Sequence, residues 1–186
     1  MPVELELKLR VDDHAVVRRA LTEQGARCIS DVVETNHILD RPDGSLRRCG
    51  RGLRVRANHV VRGDAPRATL TSKGPRQPSA MKRREEHETA IDDVEQTLAI
   101  LGALGFVVVL RYRKRRESWL LNGCRVELDC VAGLGTFVEI EGPAQDVILT
   151  TRDRLGLSDA VAVQESYVRM LTKRQSCCDS SLDDPT

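Results

Sequence analysis

The chain of 186 residues is poor in aromatic side chains and has almost no net charge. Its aromatic residues are Phe106, Tyr112, Trp119, Phe137 and Tyr167, too few for the stacking platforms with which proteins grip single-stranded nucleic acid. The 29 basic and 28 acidic side chains leave a formal charge of +1, so no overall field attracts nucleic acid or an anionic membrane. Both deficits argue against a nucleic-acid-binding protein.

Long apolar runs and paired cysteine motifs are also missing. The most apolar run, 99–110, is interrupted by two glycines and is much shorter than the roughly 20 residues of a membrane span. The first residues carry carboxylates where a signal peptide needs basic and then apolar residues. The six cysteines form no C-x-x-C pair, as is typical of reduced cytosolic thiols, and no P-loop motif is present. We expect a cytoplasmic protein without a membrane span.

Strict alternation of apolar and charged residues predicts several β-strands. It is clearest from Val3 to Val11, where every odd position is apolar and every even position is charged. We predict about eight strands in total, the others being His37–Asp40, Leu53–Ala57, Arg67–Lys73, Met81–Thr89, Val107–Glu117, Cys124–Val131 and Phe137–Glu141. Strands without regular alternation with helices indicate an α+β fold with a mostly antiparallel sheet. Closure of that sheet into a barrel is compatible with the pattern but does not follow from it.

Helix signals lie between the predicted strands. Acidic N-cap residues and glycine stops predict helices over 12–24 and 92–105, and two more are predicted over 146–155 and 158–173. The last twelve residues are rich in Ser and Asp, which is typical of a disordered tail. We therefore predict one domain over 1–174 and a disordered tail over 175–186.

Most predicted strands have one charged face, with like charges often at positions i and i+2. The residues concerned are Glu4, Glu6, Lys8, Arg10, Arg54, Arg56, Lys73, Lys82, Arg84, Glu86, Glu88, Lys114, Arg116, Glu127, Asp129, Glu139 and Glu141. One interpretation is an ordinary solvated sheet face, in which cross-strand charge pairs add a few tenths of a kcal/mol each. The other is a sheet that curls with its ionic face inward. Buried charges of this kind must be paired or must bind ions of opposite sign.

The inward arrangement predicts a specific kind of ligand inside the barrel. Carboxylate pairs such as Glu4/Glu6 and Glu139/Glu141, with Asp129, offer the hard oxygen ligands that suit Mg²⁺ or Mn²⁺. Arginine and lysine on the same faces suit phosphate oxygens. Together they indicate a polyphosphate with its metal ions.

The segment Glu4-Leu5-Glu6-Leu7-Lys8 resembles the E-x-E-x-K signature that opens the CYTH family, the triphosphate tunnel metalloenzymes. Similar segments follow in the family's order, over 53–56, 69–75, 82–88, 113–117 and 126–141, so the resemblance covers about residues 1–173. It implies a closed eight-stranded antiparallel β-barrel with flanking helices. One departure is at 37–40, where the family often has an aromatic residue and this chain has none.

The resemblance also implies roles for individual residues. Glu4, Glu6, Glu139 and Glu141, with Asp129, would hold Mg²⁺ or Mn²⁺. The triphosphate would be bound by Lys8, Arg54, Arg56, Lys73, Arg84, Lys114 and Arg116, of which Lys114 and Arg116 are the catalytic candidates. Arg10, Lys82, Glu86, Glu88 and Glu127 would line the tunnel without an assigned role, and Tyr167 is interpreted as a packing residue. Relatives of the cyclase type suggest a homodimer.

Two reactions fit such a site. Class IV adenylyl cyclases of this family convert ATP to cyclic AMP and pyrophosphate, and this is the first expectation. The alternative is a triphosphatase that hydrolyses tripolyphosphate, thiamine triphosphate or a nucleoside triphosphate. A non-catalytic polyphosphate- or nucleotide-binding module is the third alternative. The carboxylates argue against it, because they repel phosphate unless a metal ion lies between them.

Overall fold

The computed structural model describes residues 3–63, 68–77 and 82–179. Within these ranges the side chains of Val3, Glu4, Arg76, Lys82 and 176–179 are not described. Arg67 and Met81, with which two predicted strands begin, lie outside the described residues. The described residues include no helix that is long and apolar enough to cross a membrane.

The described chain forms a closed antiparallel barrel of eight strands with helices on its outside. The elements are β1 (Val3–Val11), α1 (Ala15–Glu23), β2 (Arg27–Asp40), α2 (Ser45–Arg48), β3 (Gly52–Gly63), β4 (Ala68–Gln77), β5 (Lys82–Ala90), α3 (Val94–Ala103), β6 (Val107–Leu121), β7 (Cys124–Val131), β8 (Gly135–Glu141), α4 (Gln145–Arg154), β9 (Val161–Ala162) and α5 (Tyr167–Asp179). The strand order is β5-β4-β3-β2-β6-β7-β8-β1, and pairing of β5 with β1 closes the barrel. The short β9 pairs with the outside edge of β1 near Leu9 and Arg10. The α+β barrel expected from the family resemblance is confirmed.

Local sequence signals set several element boundaries. The bounds of β1 and β7 agree with the alternation in the sequence. Asp93 caps α3 by accepting a hydrogen bond from the Gln96 backbone N–H at 2.9 Å, as expected for an N-cap aspartate. α1 ends shortly before Gly25, which has a φ of 70°. This left-handed conformation favours glycine and is common just after the end of a helix.

The sequence prediction was wrong about the extent of β2 and the start of α5. β2 has fourteen residues, whereas only its last four, His37–Asp40, were predicted. The helix predicted from Ser158 begins instead at Tyr167, because β9 pairs with β1 and the Val163 N–H donates to the Lys8 carbonyl at 2.8 Å, which keeps this stretch extended. The predicted tail is helical as far as Asp179, and 180–186 lie outside the described residues.

The apolar side chains of the strands point outward to the helices. Leu7 and Leu9 of β1 pack in one cluster with Val17 of α1 and Ile148 of α4. A second cluster joins the outer faces of β2, β3 and β4 to α3 through residues such as Leu101. Since neighbouring residues of a strand point to opposite faces, the charged positions of these strands point into the barrel.

Candidate active site

The interior of the barrel is ionic and buried. Asp129 and Glu34 are 0% and 1% exposed, and Lys8, Lys114 and Glu127 are each below 5%. Of the two interpretations of the charged faces, the inward one is confirmed. Buried charges need partners, and the interior supplies them in three groups.

The first group is an acidic cluster on β1 and β8. Glu6 stands opposite Glu141 and Lys8 opposite Glu139 in the antiparallel register. Carboxylate oxygens of Glu6, Glu139 and Glu141 lie within 4.8 Å of one another. Three hard oxygen donors at this spacing fit Mg²⁺ or Mn²⁺. Glu4, predicted to belong to this set, has a side chain outside the described residues.

Asp129, predicted with the metal ligands, lies among cations in this structure. Its carboxylate accepts hydrogen bonds from Lys114 at 2.9 Å, from Arg116 at 2.6 and 2.7 Å, and from the Tyr167 hydroxyl at 3.0 Å. The acidic cluster of the described residues does not include it. Arg116 links Asp129 to the acidic cluster, since it also donates a hydrogen bond to Glu139 at 2.5 Å.

Glu34, on β2, is the centre of the second group and was missed by the sequence analysis. Its carboxylate is 3.2 Å from Arg56, 3.5 Å from Lys114 and 3.9 Å from Arg116. Burial alone would raise the pKa of Glu34, but these cations lower it to about 2. Asn36 donates to Glu34 at 3.3 Å and accepts from Arg56 at 3.2 Å, which fixes both partners. The Glu34 carboxylate is therefore ionised and lies among Arg56, Lys114 and Arg116.

The third group lies on β3, β4 and β5. Arg54 donates to Thr71 at 3.1 Å and to Glu88 at 3.3 Å, and Lys73 pairs with Glu86. The buried Nε of Arg54 finds no hydrogen-bond partner among the described residues. An unsatisfied buried donor is rare and costs free energy, so this N–H is suited to an anionic ligand.

Three other predicted tunnel residues have different surroundings. Arg84 donates to the carbonyl oxygens of Gly74 and Gly50 and thereby holds two backbone segments together. Arg10 is exposed at the end of the barrel, with its guanidinium 4.7 Å from the centre of the Phe137 ring. The side chain of Lys82 is outside the described residues.

Glu127 is buried beside Arg116. Its carboxylate accepts a hydrogen bond from Ser118 at 2.5 Å and lies 3.6 Å from Arg116. Burial raises the pKa of Glu127, and the positive charge of Arg116 opposes that rise.

Tyr167 was interpreted from the sequence as a packing residue, and it also reaches the ionic interior. Besides its hydrogen bond to Asp129, its ring centre lies 3.5 Å from the Lys8 ammonium nitrogen. Burial and the nearby Glu139 and Asp129 carboxylates raise the pKa of Tyr167 well above its ordinary value. The phenol is therefore neutral and able to donate its proton to Asp129 in a hydrogen bond.

The CYTH domain model matches residues 3–164. The chain belongs to the CYTH family. Members of this family bind triphosphate substrates and are in general metal-dependent. The acidic cluster and the cationic groups described above lie inside the barrel, which is the tunnel of this family.

Individual CYTH relatives agree with the assignment. The chain is 31% identical over 148 residues to "Putative adenylate cyclase MJ0240" of Methanocaldococcus jannaschii, covering 78% of this chain and 79% of that protein. The PH1819 protein of Pyrococcus horikoshii matches with a TM-score of 0.78 and 27% identity over 92% of this chain and 99% of that one. HpAC1 of Hippeastrum, described as a "putative adenylyl cyclase" with a dominant triphosphatase activity, matches with a TM-score of 0.68 and 18% identity over 93% of this chain and 96% of that one. At that identity the last match shows a shared fold.

Proposed function

We propose that this protein is a divalent-metal-dependent enzyme that acts on a triphosphate held inside the barrel. The observation that carries the proposal is the position of the Glu6, Glu139 and Glu141 cluster next to Lys8 and Arg116, with Lys8 2.9 Å and Arg116 2.5 Å from Glu139. A ring of carboxylates alone would repel phosphate, whereas a metal-binding cluster beside cations suits a metal-bound polyphosphate.

The residues of the interior have separate tasks in this proposal. Glu6, Glu139 and Glu141 would hold Mg²⁺ or Mn²⁺, which when bound neutralises charge on phosphate oxygens. Arg54, Arg56 and Lys73 would bind the phosphate chain from β3 and β4. Lys114 and Arg116 would stabilise the charge that develops on the phosphate oxygens as the reacting bond breaks, because fixed cations in a water-poor site act strongly on such charge.

We propose hydrolysis as the first candidate reaction. Of the five aromatic rings, Tyr112, Phe137 and Tyr167 pack in one cluster, Trp119 packs in the outer apolar cluster, and Phe106 lies 4.6 Å from the Arg41 guanidinium. We therefore favour recognition of the phosphate chain over recognition of a nucleobase. Water would attack the terminal phosphorus of tripolyphosphate, the bond to the next bridging oxygen would break, and orthophosphate and diphosphate would leave with a proton released to solvent.

Adenylyl cyclase activity is the second candidate, and it is supported by the name of the relative from Methanocaldococcus jannaschii. In that reaction the ribose 3′-hydroxyl of ATP attacks the α-phosphorus and pyrophosphate leaves. The two reactions differ in which phosphorus faces the nucleophile, and the same cations and carboxylates serve both.

Product identification separates these candidates. Purified protein is incubated separately with tripolyphosphate, ATP and thiamine triphosphate in Mg²⁺ or Mn²⁺, with EDTA as the control, and products are identified by chromatography and phosphorus NMR. Orthophosphate that forms only with metal supports the triphosphatase, and cyclic AMP with pyrophosphate supports the cyclase. Tight binding without any product would instead indicate a non-catalytic binding module.

A further inference from the structure

Positive charge is concentrated in one stretch of this nearly neutral chain. Residues 44–63 contain six arginines and no aspartate or glutamate, whereas the whole chain has a formal charge of +1. Three of these arginines lie in or next to α2 and have exposed side chains, and we call them the α2 arginines: Arg47, Arg48 and Arg51. Arg48 pairs with Asp43 at 3.1 Å, and both side chains remain 61% exposed. Even with Asp43 counted, the segment presents a net positive charge to solvent.

The backbone of this segment is fixed at one end of the barrel. The Asp40 carboxylate, at the end of β2, accepts a hydrogen bond from the backbone N–H of Arg47 at 3.1 Å. After α2, the Gly50 carbonyl accepts one from the Arg84 guanidinium at 3.1 Å, and Arg84 also donates to the Gly74 carbonyl of β4 at 2.9 Å. The α2 arginines are therefore held at the end of the barrel where β2 ends and β3 begins.

The same stretch continues directly into the interior of the barrel. Arg51 immediately precedes β3, and Arg54 is the third residue of that strand. Three residues of chain place their Cα atoms at most about 11 Å apart. Arg54 carries the buried Nε that has no hydrogen-bond partner among the described residues, and Arg56 follows it on the same face of β3. A row of cations thus leads from solvent to the residues of β3 that are proposed to bind phosphate.

We infer that a polyphosphate ligand enters the barrel at the end where β3 begins, and that the α2 arginines speed its association by electrostatic attraction. The inference rests on the proposed triphosphate function. Attraction between exposed charges acts over roughly 8 to 10 Å at ordinary ionic strength, so it needs no fixed contact between these side chains and the ligand. Charge of one sign around a cleft raises association rates by about 10- to 1,000-fold, and the effect falls steeply with salt. The α2 arginines therefore set the rate of entry, whereas Arg54 and Arg56 hold the bound chain.

Stopped-flow kinetics of the initial binding phase test this inference without relying on turnover. The probe is ATP with a fluorescent methylanthraniloyl group on its ribose, in Mg²⁺, and excess tripolyphosphate displaces it to give the dissociation rate constant. In Arg47→Ala/Arg48→Ala/Arg51→Ala the association rate constant at low salt should fall by about tenfold. The dissociation rate constant should stay within about twofold of wild type, and high salt should remove most of the difference in association. Arg47→Gln/Arg51→Gln, which keeps the pair of Arg48 with Asp43, serves if the triple variant does not fold.

A variant with the same loss of charge elsewhere is the control. Arg19→Ala/Arg113→Ala/Arg154→Ala removes three exposed arginines of α1, β6 and α4 and should bind the probe at nearly the wild-type rate. Equal slowing of both variants, or slowing of neither, overturns the entry inference, while binding by wild type leaves the proposed function standing. Faster dissociation alone also overturns it, because the α2 arginines would then hold the bound chain. A folded wild-type protein that binds neither the probe nor tripolyphosphate would overturn the proposed function, and this inference with it.

Discussion

Arg116 and Asp129 form a two-point ion pair between β6 and β7, with the guanidinium Nε 2.7 Å from Oδ1 and Nη2 2.6 Å from Oδ2. The Asp129 carboxylate is fully buried. The negative charges of Asp129 and Glu127 raise the pKa of Arg116 well above its ordinary value, against the opposing effect of burial. The pair thus keeps a permanent cation inside the barrel, next to the Glu139 carboxylate.

Removing Asp129 should destabilise the fold. Asp129→Ala leaves Lys114 and Arg116 with one carboxylate fewer in a buried site, and breaking such a pair costs about 3–5 kcal/mol. Urea unfolding measures the change. Glu23→Ala removes an exposed i,i+4 partner of Arg19 and should cost less than about 1 kcal/mol. Equal losses in the two variants would contradict the buried network.

Replacing Glu34 should change stability and anion affinity in opposite directions. Glu34→Gln removes the negative charge shared by Arg56, Lys114 and Arg116, so the free energy of unfolding should fall. The same change raises the positive potential of the interior, so tripolyphosphate should bind more tightly, by about tenfold. Urea unfolding and calorimetry measure the two quantities. Weaker binding in a folded variant would mean that Glu34 does not compete with phosphate for these cations.

Stability should fall in acid because of Glu34. Its pKa is about 2 in the folded protein against an ordinary value of 4.5. A carboxyl whose pKa is lowered on folding contributes stability that is complete above the unfolded pKa and disappears as the pH falls toward the folded one. The expected loss therefore lies between about pH 4.5 and pH 2. Burial raises the pKa of Glu127, so Glu127 changes the pH dependence of stability in the opposite direction. Glu34→Gln is therefore the matched comparison, and its free energy of unfolding in urea should change less with pH across this range.

The acidic cluster should bind the metal. Glu141→Gln or Glu6→Gln removes a charged ligand from the set within 4.8 Å, so Mn²⁺ affinity and metal-dependent turnover should both fall by about tenfold or more. Electron paramagnetic resonance of free Mn²⁺ gives the affinity independently of activity. Glu85→Gln, on the outer face of β5, is the control and should bind Mn²⁺ like wild type. Unchanged affinity in both cluster variants would reject the metal assignment.

Arg54 should contribute directly to binding of the phosphate chain. Its buried Nε lacks a partner among the described residues, and a phosphate oxygen would satisfy it. Arg54→Ala should weaken tripolyphosphate binding by about tenfold, measured by calorimetry. Arg83→Ala is the control, because Arg83 is exposed on the outer face of β5. Similar losses for both arginines would point to general charge attraction instead of a defined contact.

The sequence predicts the parts of the site that lie on regular strands. In β1 the alternation is unbroken, so the inward positions of Glu6 and Lys8 follow from parity alone. In β2 it is absent around Glu34, because the segment Glu34–His37 is polar at every position. Glu34 was missed for this reason, although the pairing of β2 is regular from Val32 to Ile38 and Glu34 and Asn36 point the same way.

Other features of the site depend on contacts that are distant in sequence. Asp129 has the right parity for an inward ligand, but its partners Lys114, Arg116 and Tyr167 come from two other elements and decide its role. The inward position of Tyr167 likewise follows from pairing of β9 with β1, a two-residue strand too short to give a periodic signal. Periodicity reports the face of a residue and carries no information about its partner across the barrel.

A crystal structure with Mn²⁺ and tripolyphosphate tests the central claim most directly. The account predicts an anomalous manganese peak bound by Glu6, Glu139 and Glu141, with the phosphate chain inside the barrel against Arg54, Arg56 and Arg116. Manganese or phosphate found only on the outer surface, with the interior ion pairs unchanged, would contradict it.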